Sequence, residues 1–431
     1  MLESTGFSPY LIINNIIACL FAICYGYQLL FILVSVSRRN PRFPQADPGK
    51  YAVMICARNE EAVVGQLIDS IHDQEYPQEL IDIYVIADNC TDDTAKIARA
   101  AGARVVERQN KEKIGKGYAL ESLIDDITRD GTEWKYDGYL VVDADNLLEK
   151  HFVAEFNNAM KGGYRVVTGY RDSKNFADNW LSASYAVWWL REARYLNGAR
   201  CLLGLSAQVS GTGFAIRGDL LEELGGWHYF TLTEDVEFTF AMVSRGERIG
   251  YTPYAILYDE QPTVFKQSWD QRIRWIKGYF QAYARYGAKM LGRVFTRHSF
   301  PCYDMLVNTL AGTVLTLVTL VFYASAILSH AIQGVPVWEP LLYLGEFIGV
   351  CYGMLFVIGC ITVHTEKEYI YAPKSKIARY AFTFPLFIFT MLPMIICVPF
   401  DRKIWPEIVH TRAVDIEEIK GGQPQPEVTG D

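Results

Sequence analysis

The hydrophobic positions of the chain form two different patterns. Long unbroken apolar runs lie towards the two ends, whereas short apolar runs separated by polar segments fill the middle. The first long run, residues 11–36, exceeds the roughly 20 residues that a helix needs to cross a bilayer. No basic residue precedes it and no clear cleavage site follows, so the pattern predicts a transmembrane helix rather than a signal peptide.

Three more apolar runs, residues 305–332, 341–363 and 377–398, follow the middle of the chain. Arginines come directly after the first run, and by the positive-inside rule they place the N-terminus outside and the middle domain in the cytoplasm: Arg38, Arg39 and Arg42. The loop after residue 332 has no Lys or Arg, whereas the loop after residue 363 is basic, which agrees with this orientation.

The last apolar run does not fit a simple crossing. Pro385 and Pro393 interrupt it, and the tail beyond Asp401 carries basic residues that prefer the cytoplasmic side. Broken helices are tolerated where protein shields the backbone, so a re-entrant segment with a cytoplasmic tail is slightly favoured. The Gly-, Pro- and Glu-rich end, residues 421–431, is predicted to be disordered.

These patterns predict four regions. Residues 1–37 form an N-terminal transmembrane helix, 38–297 a cytoplasmic domain, 298–400 a transmembrane region and 401–431 a tail. Aromatic and cationic residues alternate within 180–205 and 276–295, which is typical of amphipathic helices at a bilayer surface, although ordinary core helices are the alternative. The expected location is the plasma membrane, with the lipid bilayer as a partner.

Within the middle domain, short apolar strands alternate with helical patterns. Strands are predicted at 51–56, 83–87, 104–107 and 138–142, with helices between them at 63–71, 95–101 and 114–127. This alternation predicts an α/β fold with a mostly parallel sheet, in which ligands bind at the carboxyl ends of the strands. Neither a Rossmann nor a Walker motif is present.

Composition narrows the class of function. The formal charge is −8 and no basic stripe stands out, which argues against nucleic acid as a partner. The nine cysteines include no C-x-x-C pair, which fits reduced thiols better than a disulfide framework.

Three polar motifs carry candidate chemistry. Asp143 and Asp145 follow a buried strand, and their carboxylates suit Mg²⁺ or Mn²⁺ shared with a substrate phosphate, or else form a solvated strand end. Glu234 and Asp235 open a helix, where acidic residues are also common as caps. The QRIRW motif at 271–275 combines arginines for phosphate contact with an aromatic face, or anchors the chain at the membrane interface.

Taken together, the motifs resemble those of membrane-integrated family 2 glycosyltransferases, the group of the cellulose, hyaluronan, chitin and poly-N-acetylglucosamine synthases. The resemblance covers about residues 50–287 and rests on five motifs in the same order: Ala57-x-Asn59-Glu60, an Asp after the second strand, Lys116, Asp143-Ala144-Asp145 with Thr233-Glu234-Asp235, and QRIRW. It implies a GT-A fold, inserted here between one N-terminal and about three C-terminal transmembrane helices, and inverting transfer from a UDP-sugar.

The resemblance also implies a role for each matching residue. Nucleotide-sugar contacts are expected from Glu60, Asp88, Lys116, Asp143, Gln271 and Arg274. Asp145 would bind the metal, Asp235 would deprotonate the acceptor hydroxyl, and the acceptor side would be formed by Trp275, Glu234 and Gly211. Two departures concern the nucleotide and metal contacts: Ala87 replaces the first of the usual two Asp residues, and Asn146 stands where some cellulose synthases have a metal-ligand His.

The predicted function is therefore metal-dependent sugar transfer to a growing glycan at the membrane. The QRIRW motif favours a processive β-polysaccharide synthase by resemblance. Three or four crossings are few for a polymer channel, so the alternative is a non-processive transferase that adds one sugar to a lipid-linked acceptor. A catalytically idle scaffold or a transporter is a third hypothesis. The intact motifs argue against the scaffold, and the predicted absence of ionisable residues from the middle of the spans argues against an ion-coupled transporter. Export or accessory subunits are left open as further partners.

Overall fold

The computed structural model describes residues 8–40, 42–129, 135–401, 410 and 412–421. The strands are β1 (Tyr51–Ala57), β2 (Ile81–Asp88), β3 (Arg104–Arg108), β4 (Gly138–Asp143), β5 (Leu147–Leu148), β6 (Val166–Ser173), β7 (Phe214–Arg217) and β8 (Ile249–Asp259). The α-helices are α1 (Pro9–Tyr25), α2 (Tyr27–Ser37), α3 (Val64–His72), α4 (Thr94–Ala100), α5 (Lys116–Arg129), α6 (Phe152–Lys161), α7 (Trp180–Arg191), α8 (Ala199–Leu202), α9 (Gly218–Leu224), α10 (Glu234–Arg245), α11 (Phe265–Arg297), α12 (Phe300–Gln333), α13 (Trp338–Thr365), α14 (Lys374–Phe389), α15 (Met391–Cys397) and α16 (Ile416–Lys420). A π-helical segment, Glu192–Gly198, joins α7 to α8, and 3-10 turns cover Gln78–Leu80, Lys367–Tyr369 and Val398–Phe400.

The strands form one eight-stranded sheet in the order β3-β2-β1-β4-β7-β6-β8-β5. The first four strands are parallel, as the strand–helix alternation predicts, and the α/β fold is confirmed. The expected mostly parallel sheet is a mixed one, because β7 lies antiparallel between β4 and β6 and β5 pairs antiparallel with β8. Strands β6, β7 and β8 come after the predicted strands and have no alternating pattern clear enough to predict them.

Successive side chains of each strand point to opposite faces of the sheet, and apolar residues on both faces produce two hydrophobic layers. Along β1, Ala52 and Met54 face a core formed with α5, α7 and α9, while Val53 and Ile55 face a second core formed with α3 and α6. Both faces of the sheet are therefore covered by helices, and polar side chains are left for the strand ends. This layering brings the carboxyl ends of β1, β2 and β4 to one edge.

Three helices are long and apolar enough to cross a membrane within the described residues: Leu310–Gln333, Trp338–Thr365 and Lys374–Phe400. The N-terminal run is not the single helix that its hydropathy predicts, because α1 and α2 meet at an angle of 46° around Gly26. Hydroxyl groups on each side of the bend are fixed to α12: Tyr25 donates to Val307 O (2.9 Å) and Tyr27 to Asp304 Oδ1 (2.7 Å). Glycine is a weak helix former, so these tertiary contacts bend the run at that residue.

The last apolar run contacts the α/β domain at both of its ends and at Met394. It breaks at Thr390, between the two prolines, and Met394 lies buried against α11. Lys376 Nζ donates to Ala177 O (2.9 Å), and Lys277 Nζ contacts Asp401 Oδ1 (2.7 Å), so both ends of the run touch the same domain. The re-entrant segment stays a prediction, because the same run, Lys374–Phe400, is also long and apolar enough to cross a membrane. Residues 422–431, most of the predicted disordered end, lie outside the described residues.

The two segments predicted as surface helices differ in environment. In the segment 180–205, Tyr185 and Trp189 of α7 are buried and α14 packs against this helix, as the alternative of a core helix expects, while the position of the segment at a bilayer surface stays a prediction. The second segment belongs to α11, which begins earlier than predicted and leaves Phe280 and Phe295 exposed. An exposed aromatic stripe on a cationic helix is typical of a bilayer surface.

Candidate functional site

A cavity of about 960 Å³ extends from the carboxyl ends of β1, β2 and β4 to the apolar helices α1, α12 and α13. All eleven residues predicted for the site contribute to its lining: Glu60, Asp88, Lys116, Asp143, Asp145, Gly211, Glu234, Asp235, Gln271, Arg274 and Trp275. The fold therefore brings the separate motifs together, while their individual roles remain predictions.

The loops after β1 and β2 form one wall of the cavity. Each loop turns through an asparagine in the left-handed region, Asn59 with φ of 56° and Asn89 with φ of 55°. Asp88 accepts hydrogen bonds from Arg108 Nη1 (2.5 Å) and Asn89 Nδ2 (3.0 Å). Burial raises the pKa of the Asp88 carboxyl, and Arg108 opposes this shift. Strained asparagines at two adjacent strand ends are common at ligand sites.

Lys116 lies between the end of β4 and the loop that contains Gly211. Its Nζ forms an ion pair with Asp143 Oδ1 and donates to Gly211 O at 2.8 Å. Burial lowers the pKa of the Lys116 amine, but the carboxylates of Asp143 and Glu234 outweigh it and the net shift is upward. Lys116 is thus held as a cation beside the end of β4.

Asp145 sits deeper, in a cluster of acidic groups. Burial raises the pKa of its carboxyl well above the usual value, His410 opposes the shift, and Asp259 adds to it. Asn146, at the position where the family pattern suggested a metal ligand, donates to Asp145 Oδ1 (3.3 Å) and Asp259 Oδ1 (3.2 Å) instead. Arg171 neutralises Asp259 through an ion pair.

His410, which no sequence motif predicted, also lies at this cluster. This residue of the tail returns to the catalytic domain, where Nδ1 lies 2.9 Å from Glu60 Oε2 and Nε2 lies 3.7 Å from Asp145 Oδ2. Burial lowers the pKa of His410, but Asp145 and Glu60 raise it more strongly, to about 10. The available signal was a single histidine in a polar tail, which carried no spacing to any other motif.

The side chains around Asp145 fit a divalent cation that takes some of its ligands from the protein and the others from a substrate. Among the described residues, no three His, Cys, Asp or Glu side chains are arranged to ligate one ion. Asp145 and His410 face one another, however, and the surrounding carboxylates leave the cluster rich in negative charge. Mg²⁺ and Mn²⁺ sites commonly take one or two protein ligands and complete their shell with phosphate and water.

Glu234 and Asp235 lie at the N-terminus of α10, on the opposite wall. Burial raises the pKa of both carboxyls, to about 7 for Glu234, where Asp235 adds to the shift, and to about 6 for Asp235. Gly211 has φ of +84°, and a Cβ atom there would lie 3.7 Å from Asp235 Oδ2. The glycine therefore leaves space beside a carboxylate whose pKa suits proton transfer near neutral pH.

The raised pKa of Asp235 predicts a pH profile. If the unprotonated carboxylate accepts the acceptor proton, kcat/KM should fall about tenfold per unit below pH about 6 and level off above it. A raised carboxyl pKa in the folded state also means that the contribution of Asp235 to stability decreases as the pH rises from about 4 through about 6. Initial rates between pH 5 and 8 check the prediction, and a flat profile would contradict it.

The QRIRW motif lies on α11 and divides between two surfaces. Arg274 faces the cavity, where burial lowers the pKa of its guanidinium while Glu234 and Asp235 favour the charged form. Gln271 Oε1 is buried in the same wall and has no hydrogen-bond partner among the described residues. Trp275 packs edge-to-face on Tyr185 and Trp189, with ring centroids 5.9 and 5.7 Å apart.

Arg272 faces the other way and holds α14. Its Nη1 donates to Thr390 Oγ1 (2.7 Å) and Phe387 O (3.1 Å), and its guanidinium lies 4.3 Å from the Phe387 ring centroid. With 1% of its surface exposed, Arg272 cannot reach a substrate in the cavity.

The two arginines should therefore respond differently to the same substitution. Arg272→Gln removes buried charged hydrogen bonds, so we expect unfolding to become easier by about 2 to 3 kcal/mol, with donor KM unchanged in the folded fraction. Arg274→Gln should instead lower kcat/KM with little change in Tm. Thermal unfolding in detergent and steady-state kinetics should be measured on both variants, so that each is the control for the other. Equal changes in Tm and in kcat/KM would contradict the separate roles of the two arginines.

Comparison with known protein families identifies the same part of the chain, the α/β domain that contains the cavity residues. The sequence matches the model for "glycosyltransferase like family 2" over residues 48–278, which contains every site residue except His410. The chain belongs to this family. The resemblance inferred from the motifs is thereby confirmed, and so is the class of enzyme, a transferase of sugars from nucleotide-sugar donors.

Curated relatives of the family differ in their products. The probable glycosyltransferase YdaM of Bacillus subtilis is 30% identical over 53% of this chain and 55% of its own length. The beta-monoglucosyldiacylglycerol synthase of Nostoc sp. is 28% identical over 67% of this chain and 61% of its own. The poly-beta-1,6-N-acetyl-D-glucosamine synthase of Staphylococcus aureus is 24% identical over 52% and 53%. The chain thus spans little more than half the length of these relatives.

A solved structure supports the GT-A fold. The mannosyltransferase PcManGT from Pyrobaculum calidifontis, in complex with GDP-Man and Mn²⁺, aligns with a TM-score of 0.59 over 90% of this chain and 99% of that one, at 16% identity. The alignment reaches beyond the catalytic domain into the apolar helices, so the likeness extends to the membrane-associated part of the architecture.

Proposed function

We propose that this protein transfers one sugar from a nucleotide-diphosphate sugar to a hydroxyl group of a lipid acceptor, with inversion at the anomeric carbon. The single observation that carries the proposal is the continuity of the cavity. One end is lined by the catalytic carboxylates, and the other by residues of α1, α12 and α13. An acceptor with a polar head and apolar chains matches both ends.

The lining of the membrane end favours a lipid over a growing glycan. Phe21 and Leu29 contribute from the N-terminal helices, and Phe347, Met354 and Ile358 from α13. Such side chains bury apolar surface but offer few hydrogen bonds to the hydroxyl groups of a polysaccharide. This argument favours the non-processive alternative over the polymer synthase that the QRIRW motif suggested.

The proposed reaction uses residues on both sides of the cavity, those next to the acceptor and those next to the donor. Asp235 would accept the proton of the acceptor hydroxyl as its oxygen bonds to the anomeric carbon, and the bond from that carbon to the diphosphate oxygen would break. The electron pair of that bond leaves on the diphosphate, whose charge Arg274 and Lys116 would neutralise. Gln271 would donate to a diphosphate oxygen, and Glu60 and Asp88 would hold the nucleoside.

A divalent cation would be held by Asp145 and by His410, whose imidazole would release its proton and bind the cation in the neutral form. When bound, Mg²⁺ or Mn²⁺ neutralises charge on the leaving diphosphate. Asn146 would then orient the Asp145 carboxylate through its hydrogen bond to Oδ1 (3.3 Å). The tail that contributes His410 would have to lie on the same side of the membrane as the donor, which for a soluble nucleotide sugar is the cytoplasm.

Two kinds of relative bear on the acceptor. The beta-monoglucosyldiacylglycerol synthase aligns over a larger share of this chain than the poly-N-acetylglucosamine synthase does. That difference supports a lipid acceptor, and the polymer remains the second candidate because relatives of both kinds share the family.

Product size tests the proposal. The full chain in detergent–lipid micelles, supplied with Mn²⁺ and a panel of UDP- and GDP-sugars, should release nucleotide and convert a lipid into a product heavier by one hexose or N-acetylhexosamine. Mass spectrometry of the organic phase reads the product. A ladder of sugars or long polymer would reject single addition, and failure with every donor would reject the transferase assignment for this chain.

A further inference from the structure

The acceptor wall is the side of the cavity that contains Asp235, Gly211 and Ser210. It extends from Asp235, the proposed base, towards the apolar helices. Gly211 lies beside Asp235, and the preceding residue, Ser210, donates its hydroxyl proton to Glu192 Oε1. Glu192 opens the π-helical segment after α7. Single π turns within helices occur frequently at functional sites, because they redirect side chains that a regular helix would aim elsewhere.

Arg191 continues this wall to the membrane helices. It directly precedes Glu192, lines the cavity, and donates from Nη2 to Gln28 Oε1 of α2 at 2.9 Å. Gln28 in turn donates to Asn308 Oδ1 of α12 at 3.3 Å. A row of hydrogen-bonded side chains therefore lies where the catalytic end of the cavity meets the apolar end.

The pairing of the Arg191 charge differs from that of the neighbouring arginines. Arg171, Arg194 and Arg200 each pair with a carboxylate, those of Asp259, Glu366 and Asp304 respectively. Over the described part of the chain, Arg191 forms no salt bridge, and its one hydrogen-bond partner is the neutral amide of Gln28.

The adjacent Glu192 carboxylate does not pair with Arg191. It accepts a hydrogen bond from the Ser210 hydroxyl instead. Burial lowers the pKa of Arg191, and the nearby charge of Glu192 opposes the shift. A half-buried cation with one neutral partner is costly to maintain unless a ligand supplies the opposite charge.

The geometry points to Arg191 as the binding residue for the phosphate of a membrane lipid, so that the acceptor is a lipid whose headgroup contains a phosphate as well as the reacting hydroxyl. This inference rests on the proposed function and narrows its substrate class. A guanidinium binds two phosphate oxygens through its planar fork, and Gln28 fixes the plane of that fork. The apolar walls formed by α1 and α13 would take the chains attached to the phosphate.

The test measures lipid binding without any donor. Dioctanoyl phosphatidic acid and dioctanoylglycerol differ only in the phosphate, and their binding to the full chain in detergent can be read by isothermal titration. We expect the wild-type protein to bind the phosphate lipid at least about tenfold more tightly, and Arg191→Gln to lose most of that preference. Arg191→Lys should retain part of it.

A matched control is Arg248→Gln. Arg248 is an exposed arginine of the same domain that lies 5.2 Å from the Tyr164 ring and outside the cavity lining. Its substitution should leave the preference unchanged. Inorganic phosphate at the same concentration should not displace the lipid, because it lacks the apolar chains; displacement would identify a free-phosphate site instead.

Equal binding of the two lipids by the wild-type protein, or equal loss of preference in Arg191→Gln and Arg248→Gln, would overturn the inference. Transfer assays separate it from the proposed function. With phosphatidylglycerol as acceptor, Arg191→Gln should raise the acceptor KM about tenfold or more while changing kcat little. Efficient transfer to diacylglycerol with no phosphate preference would retain the function and reject the phosphate site, whereas phosphate-selective binding without transfer would do the reverse.

Discussion

Asp235→Asn should reduce sugar transfer by about 10² to 10⁴-fold while leaving nucleotide binding nearly unchanged. The substitution keeps the shape of the side chain at the start of α10 but replaces the basic carboxylate with an amide, which does not take up a proton near neutral pH. Because Asp235 lies across the cavity from Asp88 and Glu60, the nucleoside wall should be undisturbed. Transfer rates and isothermal titration with UDP or GDP, according to the donor identified, give the two readouts.

A control for this variant is Asp219→Asn, which removes an acidic side chain on α9 that pairs with Arg217 outside the cavity. It should transfer sugar at the wild-type rate. The assignment of the base would be wrong if Asp235→Asn kept more than about a tenth of the activity at pH 7, or if both variants lost activity to the same extent.

The second large effect is expected at the acidic cluster around Asp145, where we propose the metal to bind. Asp145→Asn should lower transfer by about 10² to 10³-fold at saturating Mn²⁺, because the amide replaces the buried anionic ligand. His410→Gln should weaken Mn²⁺ activation by at least about tenfold and leave the maximal rate closer to wild type. Chelation should abolish activity in the wild-type protein, and added Mn²⁺ should restore it.

The tail contacts the catalytic domain at other points, so a docking effect must be separated from a ligand effect. Arg412→Gln removes the ion pair with Asp178 but leaves His410, Glu60 and Asp145 intact. We expect its Mn²⁺ activation to match that of the wild-type protein. Identical Mn²⁺ curves for wild type and His410→Gln would remove His410 from the cluster, and a shift in Arg412→Gln of equal size would assign the effect to docking.

Much of the fold follows from local sequence pattern. The strands β1 to β4 and the helices between them were predictable because each pairs a short apolar run of period two with a helix of period 3.6. The position of Asp143 and Asp145 followed from the same reasoning, since a buried parallel strand delivers its next residues to the ligand-binding edge. The order of the five motifs then identified the family, and every predicted site residue lines the cavity.

Other features depend on contacts between distant segments. The N-terminal run bends at Gly26, where Tyr25 and Tyr27 are hydrogen-bonded to α12, and α7 is buried under α14. The two arginines of QRIRW look equivalent in the sequence, although one faces the substrate cavity and the other holds α14. Hydropathy records the environment that a residue prefers but does not record which neighbour provides it.

The sequence by itself determined the α/β class, the long apolar helices and the motifs whose residues line the cavity, because local periodicity and motif order carry that information. Only the tertiary structure decided that His410 joins Asp145, that Arg191 meets Gln28 at the acceptor wall, and that the catalytic cavity continues between apolar helices. These three features join segments far apart in the chain, and proximity of that kind is fixed by packing rather than by any local pattern.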